Sequence, residues 1–269
     1  MSRFMSAEDV VEIKQFLSVP RLGTYITLVK SQNPEDAIEL HQVTMSLGIA
    51  IMAVTGLIEV SLRNIACKEL DISFGGEGWL RSPPDSLKWA AFEKNAIKTA
   101  EKHARRAVYS KMDGATKSGL DALAFPNGVP LGVKHRKLAE KRQATIQVTD
   151  SQVIAQLTMN FWKRLFSVNY EKTLWKRGLK RTFPNKRLSR ADIAAYLEVI
   201  YETRNRLAHH EPVYGRRLES ILAAIEFTSS NLGSVYSGED NSFSKLIRPQ
   251  TDILAGQVAV FKATFNRLC

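Results

Sequence analysis

Apolar residues recur every three or four positions along most of the chain, which predicts helices, and few stretches alternate in the way strands require. The longest such stretch runs from about Glu35 to about Leu70, opened by Asn33-Pro34, with an apolar face of Leu47, Ile51, Val54, Ile58, Leu62 and Ile65. Gly48 and Gly56 on it predict the close approach of another helix. Before it, residues 6 to 17 form a short helix capped by Ser6, with Glu8 and Asp9 in the first turn. Pro20 and Gly23 break that helix, and Leu22, Tyr25, Ile26 and Val29 supply another turn or two. After it, a Gly75–Gly78 loop and Pro83-Pro84-Asp85 lead to a third helix from about Ser86 to Met112.

The pattern fades between Asp113 and Asp150, where Phe125-Pro126-Asn127-Gly128-Val129-Pro130 forms turns and Lys134-His135-Arg136-Lys137 is a basic run without an apolar stripe. Residues 113–150 read as an exposed basic insertion. From Asp150 one helix carries Val153, Leu157, Phe161 and Leu165. A central helix begins at Asp192 and must end at Pro212; another carries Leu218, Ile221, Leu222 and Ile225. After a polar stretch from Gly233 to Asn241, a last helix carries Ile253, Leu254, Val258, Phe261, Phe265 and Leu268. The fold class is all-α, and no change of composition marks a second domain, so residues 1–269 are read as one.

Composition narrows the functional classes. Two cysteines, Cys67 and Cys269, give neither a disulfide framework nor zinc-ligand spacing, and His41, His103 and His135 have no partners at metal-ligand spacing. The expectation is no metal and no cofactor. Nucleophile motifs, phosphate-cradling glycine loops and paired catalytic acids are absent from the sequence. The apolar run Leu47–Leu62 is interrupted by Gly48, Thr55, Gly56 and Glu59, which suits a buried helix better than a membrane span, and residues 1–10 lack a secretory signal. A cytoplasmic protein without a membrane partner is expected. The net charge of +11 favours a polyanion. Residues 161 to 190 hold ten Lys or Arg against one Glu, interleaved with Phe161, Trp162, Phe166, Tyr170, Trp175 and Phe183. At helical spacing those aromatics belong to a core. Lys163, Arg164, Lys176, Arg177, Lys180 and Arg181 are the candidates for phosphate contacts, with a solvated basic face as the alternative.

One residue does not fit the pattern. Ile193, Leu197, Ile200, Arg204 and Leu207 share a face, so Arg204 stands where an aliphatic residue is expected. A guanidinium there must either find an acceptor, such as Glu59 or Glu202, or line a cleft. The surrounding run, Arg204-Asn205-Arg206-Leu207-Ala208-His209-His210-Glu211-Pro212, resembles the signature of the HEPN superfamily and of the bacterial Abi (abortive infection) proteins within it. Leu57-Ile58-Glu59-Val60-Ser61-Leu62-Arg63-Asn64 is similar to that family's N-terminal helix motif. The segment from Phe161-Trp162 through Tyr170, Leu174-Trp175 and Phe183-Pro184 also resembles it. Together these cover roughly residues 40 to 215.

The resemblance implies a HEPN-like helical bundle with additional N- and C-terminal helices, a homodimer, and a metal-independent endoribonuclease of a phage-defence or toxin system. It implies RNA as partner and an antitoxin, protein or small RNA, as restraint. Arg204, Asn205 and His209 would be the catalytic set, with Arg206, His210, Glu59, Arg63 and Asn64 as accessory groups. The residue types suit the chemistry. A histidine exchanges protons near neutral pH, and an arginine fork matches a crowded phosphate. Asn205 is one turn before His209 and close enough to orient it. On a straight helix, five residues rotate by roughly 500°, which leaves Arg204 and His209 about 140° apart. Either the helix end distorts before Pro212, or a second copy completes the site. The alternative reading is a non-catalytic module of the same fold that binds RNA or a protein partner. A third reading, nucleotide binding, rests only on what some HEPN relatives do.

Overall fold

The computed structural model describes residues 5–235 and 240–269; the polar stretch expected at Gly233–Asn241 lies partly outside them. Among the described residues the regular structure is helical, with no strand. The chain shows no boundary in composition. It divides into two compact units, residues 1–65 with 181–269 and residues 66–180.

The first unit opens with α1 (Ala7–Leu17). Ser6 caps it in a reciprocal capping box, its hydroxyl accepting from the Asp9 amide and the Asp9 carboxylate accepting from Ser6 N. Pro20 does not only break a helix: it stands in the first turn of α2 (Val19–Ile26), where its missing N–H costs nothing. The long helix α3 (Pro34–Phe74), which belongs to this unit through Ile65, starts as expected, with the Asn33 side chain accepting from the Glu35 amide. Its residues Leu47, Ile51, Val54, Ile58 and Leu62 are fully buried. This helix is long and apolar enough to cross a membrane by length and composition, with half of its most apolar stretch buried.

Three further helices complete this unit: α10 (Arg190–Ala208), α11 (Arg216–Asn231) and α12 (Ser242–Leu268). Capped by Ser189 through a capping box with Asp192, α10 starts at Arg190, two residues earlier than the apolar pattern suggests. Ile193, Leu197 and Ile200 are buried, and Tyr196 stacks on Phe227 of α11 at 4.0 Å between ring centroids. On α12, Leu254, Phe261 and Leu268 are buried, whereas Ile253, expected in the core, is 60% exposed. Gly48 stands at a helix crossing, as its place on α3 predicts: a Cβ there would be 3.0 Å from Leu207 Cδ2 of α10. Gly56, expected to do the same, faces open space.

The second unit holds α4 (Ala91–Ser110) and a series of short helices: α5 (Gly114–Gly119), α6 (Asp121–Ala124), α7 (His135–Ala144), α8 (Asp150–Ile154) and α9 (Met159–Arg164). The region 113–150 is thus largely helical and not merely loop. Its helices bury no residue, which is why no apolar stripe announces them. Arg142 ties α7 to α6 through a two-pronged pair with Asp121 at 2.6 and 2.7 Å. The single helix expected from Asp150 is two, because Thr158 adopts an extended backbone (ψ 166°) between α8 and α9. Trp79, Trp89, Phe161, Trp162, Phe166 and Tyr170 are buried as the core of this unit.

Candidate functional site at the end of α10

The helix α10 stays regular through Ala208, and His209 is its C-cap. The distortion that would let one helix aim Arg204 and His209 at the same phosphate is therefore not present, and the rotation of about 140° between them stands. Beyond His209 the helix stops tightly. The His210 amide bonds to Leu207 O at 2.9 Å and the Glu211 amide to Arg206 O at 2.9 Å. This is the Schellman pattern, whose turning residue is usually glycine. Here it is His210, at φ 57°. Where this motif commonly adds an apolar contact, Arg206 Nη1 instead meets Glu211 Oε2 at 2.6 Å.

Arg204 resolves its misfit by pairing with Glu59 of α3. The carboxylate is mostly buried (14% exposed) and the guanidinium half-buried at 31%. Arg204 Nε is enclosed without a hydrogen-bond partner. Arg63 does not take Glu59, as the spacing on α3 permits; its Nε donates to Asn64 Oδ1 at 3.3 Å. Asn205, His209 and His210 are exposed. Among the described residues no side-chain hydrogen bond joins Asn205 to His209, so the expected orienting contact is not formed here.

Beside this helix end lies a cleft of about 380 Å³ that the sequence did not reveal. Met45, Ile49 and Met52 of α3 form one wall, and Leu207, His210 and Pro212 another. Tyr25 and Thr44, both buried, also line it. Tyr25 is buried and meets His41 edge to face at 5.1 Å. Burial, with Arg21 nearby, holds the His41 imidazole below its ordinary proton affinity, so it resists charging. The signal for this cluster in the sequence is weak: a tyrosine and a histidine in separate helices, with nothing in spacing to join them.

The basic stretch divides. Arg164 is engaged in the second unit, its Nε 2.5 Å from Glu93 Oε1 and its guanidinium 4.3 Å from the Phe92 ring centre. Arg177 donates to Ser86 Oγ at 2.8 Å and lies over Phe74, while Lys163 is half-buried. Lys176, Lys180 and Arg181 are exposed, the first two in the second unit and Arg181 in the first. Among the described residues no group of three or more His, Cys, Asp or Glu is placed to hold a metal. Comparison of the chain with models of protein families, with curated proteins and with solved structures gives no match.

Proposed function

We propose that this protein is a metal-independent endoribonuclease of the HEPN type, acting as a homodimer in an abortive-infection or toxin system. The observation that carries the reading is the half-buried Arg204 five residues before the exposed helix-end His209. Glu59 takes one N–H of a guanidinium that has five, so the fork keeps donors for a phosphate. In the reaction, the ribose 2′-hydroxyl attacks the adjacent phosphorus while a histidine removes its proton. A second histidine protonates the departing 5′-oxygen, leaving a 2′,3′-cyclic phosphate. Arg204 of one copy stabilises the charge on the phosphorane oxygens, and the exposed neighbours His209 and His210 of the other copy supply the base and the acid. Asn205 orients His209 once RNA is bound. Exposed Lys176, Lys180 and Arg181 attract the RNA backbone.

The test is incubation of the protein with mixed cellular RNA in EDTA, with analysis of the new ends. Cleavage to cyclic phosphate ends that is lost in Arg204→Ala and His209→Ala, with DNA untouched, is the expected result. Native-rate cleavage by either folded variant would refute the assignment. The pairing of Arg204 with Glu59 also favours a second reading, in which the pair is structural and the protein only binds RNA or a protein partner. Salt-sensitive RNA binding without cleavage would select it.

A further inference from the structure

Helix α3 leaves one face uncovered. At about 100° per residue, Met45, Ile49, Met52, Ala53, Gly56 and Val60 fall within a sector of about 100° around its axis. Ile49 is 66% and Val60 44% exposed. Ala53 is exposed, Met45 and Met52 are half-buried, and a methyl group on Gly56 would meet nothing within 4 Å. The face carries no charge between Gln42 and Arg63, and it extends over about 22 Å, at about 1.5 Å per residue. A continuous apolar stripe of this length on a water-facing helix marks a contact surface.

The order of residues along the stripe says what covers it. Reversed upon itself about a midpoint between Met52 and Ala53, the stripe sets Ile49 opposite Gly56, Met45 opposite Val60 and Met52 opposite Ala53. Gln42 is then level with Arg63 at the ends of the stripe. Large meets small, apolar meets apolar and polar meets polar, so the stripe is its own complement in the antiparallel sense. We propose that a second copy of this chain packs its α3 antiparallel across this face, with each Ile49 seated over the other copy's Gly56.

Such a dimer also bears on catalysis, a consequence that rests on the nuclease reading. Gly48, which meets Leu207, and Glu59, which holds Arg204, lie on one flank of the stripe. The two-fold axis of an antiparallel helix pair lies in their contact plane, perpendicular to both helices, and keeps that flank on the same side in both copies. It moves Glu59 to the level of Ser46, two residues from Gly48. The second copy's Arg204 therefore stands level with the Leu207–His210 end of the first. The two groups that one straight helix holds apart are brought together by symmetry.

The test reads association and needs no RNA, so it separates failure of the seam from failure of the nuclease reading. Light scattering and sedimentation should give a dimer for the wild type. Ile49→Glu and Val60→Glu should each weaken it by about a hundredfold or more, with unchanged helical circular dichroism, since each buries two charges per dimer. Ile253→Glu, at an exposed apolar site on α12, should leave the dimer intact. With Cys67 and Cys269 replaced by serine, Met45→Cys/Val60→Cys should cross-link on oxidation and neither single variant should. A wild-type monomer at tens of micromolar, a dimer indifferent to both glutamates, self-linking by either single cysteine, or a monomer that instead partitions onto lipid vesicles would each overturn the proposal.

Discussion

Two arginine–glutamate pairs, one in each unit, show the same chemistry put to different ends. Arg164 and Arg204 are similarly exposed, at 34% and 31%. Their carboxylates differ. Glu93 is completely buried and doubly held, by Arg164 at 2.5 Å and by the Tyr170 hydroxyl, which donates to Oε2 at 2.8 Å. The Tyr170 oxygen in turn accepts from the Ala90 amide at 3.1 Å. Glu59 keeps a 14% exposure, and its arginine retains an enclosed Nε without a partner. In the first pair each carboxylate oxygen is held by its own donor in a fully buried setting; the second is left open at the foot of a helix that ends in two exposed histidines. A closed pair holds a fold together, and an open one is available to a ligand.

The sharpest way to break this comparison is to remove each arginine. Arg164→Ala strands a buried carboxylate and should cost about 3–5 kcal/mol of stability. Arg204→Ala leaves a carboxylate that can reach water and should cost about 1 kcal/mol or less. Denaturant midpoints of the two variants measure the difference, and equal losses would erase it. RNA cleavage should move the opposite way: about a hundredfold or more lost in Arg204→Ala, and an unchanged rate in folded Arg164→Ala.

The Tyr170 hydroxyl sharpens the same contrast. Burial pushes it up to about 12, and the Glu93 carboxylate adds to the rise. A raised folded value means that its stabilisation is full below the ordinary tyrosine range, near 10, and is lost as pH rises through about 12. Wild-type stability should fall across that interval, and Tyr170→Phe, already weaker by about 1–2 kcal/mol at neutral pH, should fall less. At the open site the corresponding feature is the left-handed His210. His210→Gly should change stability by under about 1 kcal/mol, toward a gain, while His210→Val should lose about 1–2 kcal/mol. The smallest effect belongs to His41, held below its ordinary value near 6.5 by burial. Its contribution is complete above that value and is lost as pH falls toward the depressed one. His41→Phe should flatten the acid limb of the melting temperature against pH.

The helices are legible where burial imposes a period. Leu47, Ile51, Val54, Ile58 and Leu62 lie at 0% exposure on the face the sequence predicts. The short helices of residues 113–150 are not, because nothing in them is buried. Neither is the break at Thr158, where apolar spacing continues across an extended residue. At the site, the misplaced Arg204 and one of its two candidate acceptors, Glu59, can be read from position alone. The closed pair of Arg164 cannot, since Glu93 lies 71 residues away in sequence and its partners share no local pattern. Long-range pairing leaves no periodic trace. The cleft beside His210 is hidden for the same reason.

The central claim is that one copy's Arg204 works with another copy's His209, and mixing two dead proteins tests it most directly. Arg204→Ala and His209→Ala, each inactive, are combined at equal concentration and allowed to exchange subunits before RNA cleavage is measured in EDTA. Half of the resulting dimers are mixed, and one of their two sites is whole, so about a quarter of wild-type activity should return. No recovery in a mixture shown to exchange, beside an active wild type, would contradict the account.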